Sequence, residues 1–396
     1  MTPSSPNSQT EIRSIQYRDL EAIEQLLAEG FTAANPSSTF SLDPHLERVR
    51  QCFGVLKFLS WFPNPYQNLF RSYVAHRDRQ LQGFIQVSPF NRTASTWRVD
   101  CIGAARSAGS QDTGTSLLRY CLETIWEART WILEVEINNK TAVGLYRLNG
   151  FQPLAEMTYW DICADRLQEL AHREPTLPNL MPVSNADAQL LYQLDTVAMP
   201  PQIRQVFDRH ISDFKTSLVE SLIAGIQQWF DRTETVSGYV FETQRKAAIG
   251  YFQIQLSRQG TFPHKAQLTV HPAYTWLYPE LLAQMARITK DFPPQSLLLA
   301  SADYQPEREE YLTQVEATPI QTTLLMSRSV WHKLREAKHA PLELQISEVL
   351  SGLQPRHKPI PGRMMWWQSL DPSAKEQPGG EPKNGHHTGE KDPKGE

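Results

Sequence analysis

The stretch Asn139-Lys-Thr-Ala142-Val-Gly-Leu145-Tyr146-Arg-Leu-Asn-Gly150-Phe151 decides the fold class of this chain. Within it, Leu145 and Tyr146 lie three and four residues after Ala142, a spacing that places all three on one face of a helix. That apolar face predicts a short helix that packs against a sheet.

Both ends of this helix are marked in the sequence. Asn139 is suited to the N-cap, because its side-chain oxygen can accept from the amides of the first turn. Gly150 supplies the left-handed residue that ends a helix, and Phe151 covers its apolar side. Residues 131–137 before the helix and 155–162 after it are rich in β-forming side chains, so a strand–helix–strand unit is predicted.

The pattern N-x-x-A-x-x-L-Y-x-x-x-G-F after a strand resembles the signature of the GNAT superfamily of acyl-coenzyme A N-acyltransferases, with every fixed position present. The elements around it agree with that fold. Strands are predicted at 12–15, 72–76, 81–88 and 95–104, and helices at 19–27, 45–59 and 114–126, with an aromatic loop at 61–66. The fold class is therefore α/β, with a mixed, mostly antiparallel sheet flanked by helices.

Composition limits the classes of function. The formal net charge of -4 gives no electrostatic case for nucleic acid or an anionic membrane surface. The four cysteines form no ligand or disulfide pattern, so no metal is expected and a reducing cytoplasm is predicted. No apolar run approaches the ~20 residues of a membrane span. Oligomeric state is left open.

The second half repeats the first. Asp187 follows Asp19 by 168 residues, Gly250 follows Gly83 by 167, and Leu312 follows Tyr146 by 166. A register held over that length indicates a tandem duplication. The repeat has lost the motif: Gln305, Arg308, Leu312, Glu316 and Ala317 replace Asn139, Ala142, Tyr146, Gly150 and Phe151.

The predicted organisation has five parts. A disordered leader at 1–10 precedes an N-terminal GNAT domain at 11–165 and a degenerate GNAT-like domain at 176–336. An extension at 337–369 and a disordered, Pro/Gly/Lys/Glu-rich tail at 370–396 follow.

The resemblance implies a site for acetyl-CoA in a cleft between two parted strands of the first domain. The family binds the pyrophosphate at the start of the helix that follows, usually with Q/R-x-x-G-x-G/A. Here the loop reads Gly109 to Gly114, and only the final glycine matches, with Asp112 in place of the middle one. On this resemblance the residues assigned to the cofactor are Ile102, Gly103, Ala104, Gly109, Ser110, Gln111, Asp112, Thr113, Gly114, Thr115, Asn139, Ala142 and Tyr146.

The implied reaction is acyl transfer to a primary amine. Backbone amides at 102–104 would bind the thioester oxygen, and Tyr146 matches the family's tyrosine beside the leaving thiolate. The base that takes the amine proton is Asp100, Glu134 or Glu136, and we take Asp100 and Glu136 as its first candidates. The alternative function is a catalytically inactive GNAT-fold protein that binds a ligand or partner.

Overall fold

The computed structural model describes residues 10–19, 21–23, 26, 31–34, 70–77, 80–105, 110–216 and 233–330. The predictions for 1–9, 45–59, 61–66 and 331–396 lie outside these residues. The strands are β1 (Glu11–Ser14), β2 (Phe31–Ala34), β3 (Arg71–Arg77), β4 (Gln80–Pro89), β5 (Thr96–Ala104), β6 (Thr130–Glu136), β7 (Gln152–Ile162), β8 (Leu180–Pro182), β9 (Thr233–Glu242), β10 (Ala247–Ser257), β11 (His264–Val270), β12 (Leu297–Ala302) and β13 (Thr318–Ser329).

The helices of the described part flank this sheet. They are α1 (Ser110–Thr124), α2 (Lys140–Leu148), α3 (Ala164–Leu170), α4 (Ala188–Ala198), α5 (Pro201–Phe207), α6 (Leu277–Thr289) and α7 (Pro306–Gln314). One large core lies beneath α1 and α2 and includes Trp97, Leu117 and Trp131. A second lies beneath α3, α6 and α7 and includes Phe252 and Leu281. Among the described helices, none has the length and apolarity to cross a membrane.

The strands form a 13-stranded sheet in the order β1-β3-β4-β5-β6-β13-β7-β12-β11-β10-β9-β8, with β2 paired to β5 off this path. The predicted mixed α/β class is therefore confirmed. The two repeats share the sheet by exchanging their last strands. β13 from the second repeat lies between β6 and β7, and β7 from the first repeat lies between β13 and β12. Neither repeat completes its own sheet.

The motif helix ends as predicted. Gly150 has a φ of 80°, and the Phe151 N–H donates to the Tyr146 carbonyl at 3.1 Å. The helix before it differs from its prediction. α1 begins at Ser110, a turn earlier than residue 114, and the acidic Asp112 in its first turn favours a helix start there because it complements the helix dipole. Most of the predicted pyrophosphate loop is therefore the first turn of α1.

Candidate active site

A cleft opens between β5 and β6. These two strands run parallel, but they pair only at Thr96–Arg98 with Thr130–Ile132. Beyond that point β5 continues to Ala104 and β6 to Glu136 without further pairing between them. A register shift leaves Asp100 as the extra residue of a β-bulge against β4, and such bulges bend the strand that carries them. The two strands therefore part as the resemblance implied.

The backbone of β5 presents alternate amides to this cleft. The Ala105 N–H donates to the Gln82 carbonyl on the β4 side at 2.9 Å. Because alternate residues of an antiparallel strand bond to the same neighbour, the Gly103 amide also points toward β4. The amides of Ile102 and Ala104 point the other way, into the cleft. Of the three residues assigned to the thioester, these two have the required direction.

Strand β2 occupies this edge of the cleft. It pairs antiparallel with β5, with Phe31 opposite Ala104 and Ala33 opposite Ile102. These are the two β5 residues whose amides face the cleft, so they are the hydrogen-bonded pairs of the ladder. The family resemblance implied an open cleft at this position. In this structure a segment of the same chain fills it. A free strand edge presents unpaired N–H and C=O groups, which form hydrogen bonds with another strand.

Tyr146 is buried in the core that lies beneath α1 and α2. Its side chain is 2% exposed, and its ring packs edge-on against Phe151 at a centroid distance of 5.8 Å. Burial, and secondly the nearby Cys101 thiol, raises the pKa of Tyr146 well above that of a free phenol. The hydroxyl therefore keeps its proton and can donate a hydrogen bond, but it is a poor acid.

The start of α2 is held by its cap. The Asn139 side-chain oxygen accepts from the Ala142 N–H at 3.1 Å, so the helix-cap role is observed for this residue. Ala142 is fully buried. Thr115, another residue assigned to the cofactor, has a different contact: its hydroxyl accepts from the Asn149 side chain at 3.3 Å and ties α1 to the end of α2.

The other cofactor residues lie at the start of α1. Ser110, Gln111, Asp112 and Thr113 form its first turn, whose amides have no partner within the helix. Asp112 is exposed. Gly114 is buried, and a Cβ there would lie 3.0 Å from the Leu145 side chain, so this glycine allows α1 to approach α2. Gly109 lies outside the described residues.

The three candidate bases have different surroundings. Asp100 is 6% exposed and its Oδ1 accepts from Arg98 at 2.8 Å and from Ser88 at 3.0 Å. Glu136 is exposed at the end of β6. Glu134 accepts from the Tyr159 hydroxyl at 2.5 Å, and desolvation raises the pKa of its carboxyl despite that bond.

Glu134 and Tyr146 lie on opposite faces of the sheet. Trp131 and Leu133 belong to the core that contains Tyr146. Since side chains alternate along a strand, Glu134 faces the other side. Within the described residues, no group of three His, Cys, Asp or Glu side chains could hold a metal ion.

The second repeat has the same parted strands, but its cleft is closed. β11 and β12 pair in parallel only at His264–Ala266 with Leu297–Leu299. Arg308 then bridges the gap: its guanidinium donates to the Ala300 carbonyl at 2.9 Å and to the Leu268 carbonyl. Its side chain is 5% exposed and lies over the Tyr278 ring. Arg308 corresponds to Ala142 of the first repeat, so an arginine side chain fills the second cleft.

Two of these features escaped the sequence analysis. β2 was not predicted, since four residues give too short a pattern, and it is placed by pairing with a distant strand. The function of Arg308 as a bridge was missed as well, although a long cationic side chain in place of Ala142 was a usable signal.

Comparisons with known proteins agree with this geometry. The model of the Acetyltransferase (GNAT) family matches residues 21–151. Among solved structures, a tandem GNAT protein from the clavulanic acid biosynthesis pathway is 14% identical, covers 81% of this chain and 98% of its own, and has a TM-score of 0.51. A GCN5-related N-acetyltransferase from Sphaerobacter thermophilus is 13% identical, with coverages of 82% and 97% and a TM-score of 0.49. The search of curated proteins found no match.

The resemblance inferred from the motif is thereby confirmed, both for the GNAT signature of the first repeat and for the tandem arrangement. At these identities the structural likeness establishes the fold. The family match supports N-acyltransferase activity in general.

Proposed function

We propose that the first repeat transfers an acyl group, in the simplest case acetyl, from coenzyme A to a primary amine by direct attack in a ternary complex. The observation that carries this proposal is the parted β5–β6 pair, in which the Ile102 and Ala104 amides face the gap. Such amides can bind an extended pantetheine arm and stabilise the oxyanion that forms at the thioester carbonyl.

In the proposed reaction, the amine nitrogen attacks the thioester carbon and the carbon–sulfur bond breaks. The amide product forms, the sulfur leaves as a thiolate, and the amine proton passes to a base. Glu134 suits this last role better than Asp100 or Glu136. Its raised pKa makes it more basic than a solvated carboxylate, while Asp100 is held by Arg98 and Ser88.

Tyr146 would stabilise the thiolate by donating a hydrogen bond. Its raised pKa argues against full proton transfer, because a thiol titrates near ~8.5 and the buried phenol far above that. The diphosphate would lie at the first turn of α1, whose unpaired amides and positive dipole end favour an anion. The exposed Asp112 carboxylate reduces that attraction.

Acyl-CoA and strand β2 would compete for the same backbone groups. Binding therefore requires that residues 31–34 leave the β5 edge, which makes the described conformation the closed one. The second repeat contributes no cleft of its own, because Arg308 fills it. We propose that it is a structural domain, from residue 176 to 336, that supplies β13 to the first domain at 11–165.

The second candidate function is a catalytically silent binding protein, and the occupied β5 edge is the observation that favours it. Thiol release measured with acetyl-CoA and a panel of amines (small amines, peptide N-termini and lysine peptides) separates the two. Amine-dependent release supports the transferase. Acetyl-CoA binding with no release for any amine supports the silent protein. We propose that the activity is cytoplasmic, as the spacing of the cysteines in the sequence predicts.

A further inference from the structure

The second repeat contains a polar cavity that the proposed reaction does not use. The cavity has a volume of about 640 Å³, within the usual range of small-molecule sites. Its floor is one face of β9, β10 and β11. The side chains of these strands that line the cavity carry polar groups: Thr235, Ser237, Tyr251, Gln253, Gln267 and Thr269. Farther along the same face, Tyr239 and Phe241 pack against Leu191 and Leu194. The opposite face of the same strands carries Phe252, Ile254 and Leu268 and packs into the second core.

The floor residues form cross-strand rows. In the sheet register Ser237 lies opposite Gln253, which lies opposite Gln267, and Tyr251 lies opposite Thr269. Side chains opposite one another in adjacent strands have Cβ atoms about 5 Å apart. Hydroxyl and carboxamide groups are therefore presented side by side over three strands.

Walls on three sides separate this face from an ordinary solvated sheet surface. Leu191, Leu194 and Asp195 of α4 form one wall, and residues 213–216 form another. Phe90, from the turn between β4 and β5 of the first repeat, forms a third wall together with Arg209. The Arg209 guanidinium lies 5.1 Å from the centre of the Phe90 ring, which fixes both side chains.

The polar groups are oriented toward the cavity. The Tyr251 hydroxyl donates to Gln253 Oε1 at 2.8 Å, and burial raises the pKa of Tyr251 to about 12, so this donor stays protonated. That bond uses the carboxamide oxygen and leaves the Gln253 amino group as a donor. Asp195 accepts from Arg209 at 2.8 Å through Oδ1, which leaves Oδ2 as an acceptor.

The charges of the lining balance. Asp195 is paired with Arg209, and Asp213 accepts from the Arg92 and His210 backbone amides. With Lys215, the lining holds two cationic and two anionic side chains. A charged ligand would gain little from such a site. A ligand whose groups both donate and accept, as hydroxyls do, matches the carboxamide and hydroxyl groups of the floor.

We propose that this cavity binds a neutral, polyhydroxylated small molecule of mono- or disaccharide size, held over Gln253 and Gln267 with its apolar edge against Phe90. The site is independent of the acyl-transfer cleft, so it can be tested whether or not the chain proves to be a transferase.

The test uses saturation-transfer NMR on the full chain with D-glucose, maltose and myo-inositol as probes, and with L-alanine and sodium acetate as charged comparisons. The proposal predicts binding of at least one of the three neutral probes. Gln253→Leu and Gln267→Leu should each weaken that binding about tenfold, because each removes a hydrogen bond to the ligand and leaves a ligand hydroxyl without a partner in the cavity. Gln168→Leu, which lies at a different cavity, is the matched control and should leave it unchanged.

The proposal is wrong if none of the neutral probes binds, if L-alanine or acetate binds in their place, or if both leucine variants bind the sugar as the unaltered chain does. Since Gln267 is exposed, its replacement should not affect folding, and a far-UV spectrum of each variant checks this. A second substitution, Thr269→Val, tests the same floor with a smaller change.

Discussion

Replacing Ala33 with proline should open the acyl-CoA cleft. Ala33 lies opposite Ile102 in a hydrogen-bonded pair, so its N–H donates to β5. Proline has no N–H and disfavours a paired strand position. The neighbouring Thr32 lies opposite Gly103 in a pair without hydrogen bonds, so its N–H points away from β5. Thr32→Pro is therefore the matched control: it introduces the same residue but removes no bond between the two strands.

The magnitude follows from the ladder. The pairs Ala33–Ile102 and Phe31–Ala104 provide four backbone hydrogen bonds, each worth about 1 kcal/mol net. The paired arrangement is the one that the structure shows, so each lost bond shifts the equilibrium toward the open state. Losing one bond together with the local strand geometry should cost about 1.4 kcal/mol. If β2 and acyl-CoA exclude each other, that loss raises the apparent acetyl-CoA affinity about tenfold.

Isothermal titration with acetyl-CoA measures this effect directly. The expected order of affinity is Ala33→Pro above the unaltered chain, with Thr32→Pro equal to the unaltered chain. Equal affinities for all three folded proteins would refute the competition between β2 and acyl-CoA. A weaker affinity for Ala33→Pro would show that β2 helps to build the binding site.

Three further predictions concern single side chains. Tyr146→Phe should lower the turnover number about tenfold and leave acetyl-CoA affinity unchanged, because the phenol donates a hydrogen bond to the thiolate. An unaltered turnover number in the thiol-release assay would show that Tyr146 does not stabilise the thiolate. Activity should rise as the pH rises through the raised pKa of Glu134, since the base acts when it is deprotonated. Glu134→Gln should abolish this rising limb of the pH–rate profile, whereas the control Glu136→Gln, at an exposed position, should keep it. A rising limb that persists in Glu134→Gln would show that another group is the base. Arg308→Met should lower the free energy of unfolding, measured in urea, by about 3 kcal/mol, because two buried carbonyls lose their hydrogen-bond donor. The control Arg258→Met removes an exposed ion pair and should change the free energy of unfolding little. Equal small losses for both variants would show that Arg308 does not stabilise the second cleft.

Local patterns predicted the fold because the determining residues are close in sequence. The cap, the apolar face and the terminal glycine of α2 all lie between Asn139 and Gly150, so periodicity and capping chemistry were sufficient. The duplication was visible because Gly83 and Gly250 keep their places in matching strands. The GNAT-like fold was implied by the resemblance of the N-x-x-A-x-x-L-Y-x-x-x-G-F pattern to the family's signature.

Long-range pairing could not be predicted in the same way. The exchange of β7 and β13 depends on contacts such as Met157 with Thr323, which no local pattern encodes. The bulge at Asp100 and the insertion of β2 likewise depend on the partner strand. Among the candidate bases, strand alternation grouped Glu134 with Glu136, but the burial of Glu134 and its hydrogen bond from Tyr159 distinguish the two.

The most direct test of the account is the number of acetyl-CoA molecules that the full chain binds, measured by isothermal titration with the Ala33→Pro variant. An accessible cleft in the first repeat and an arginine-filled one in the second predict one molecule per chain. No detectable heat at millimolar acetyl-CoA would contradict the acyl-transfer cleft, and two molecules per chain would contradict the closure of the second one by Arg308.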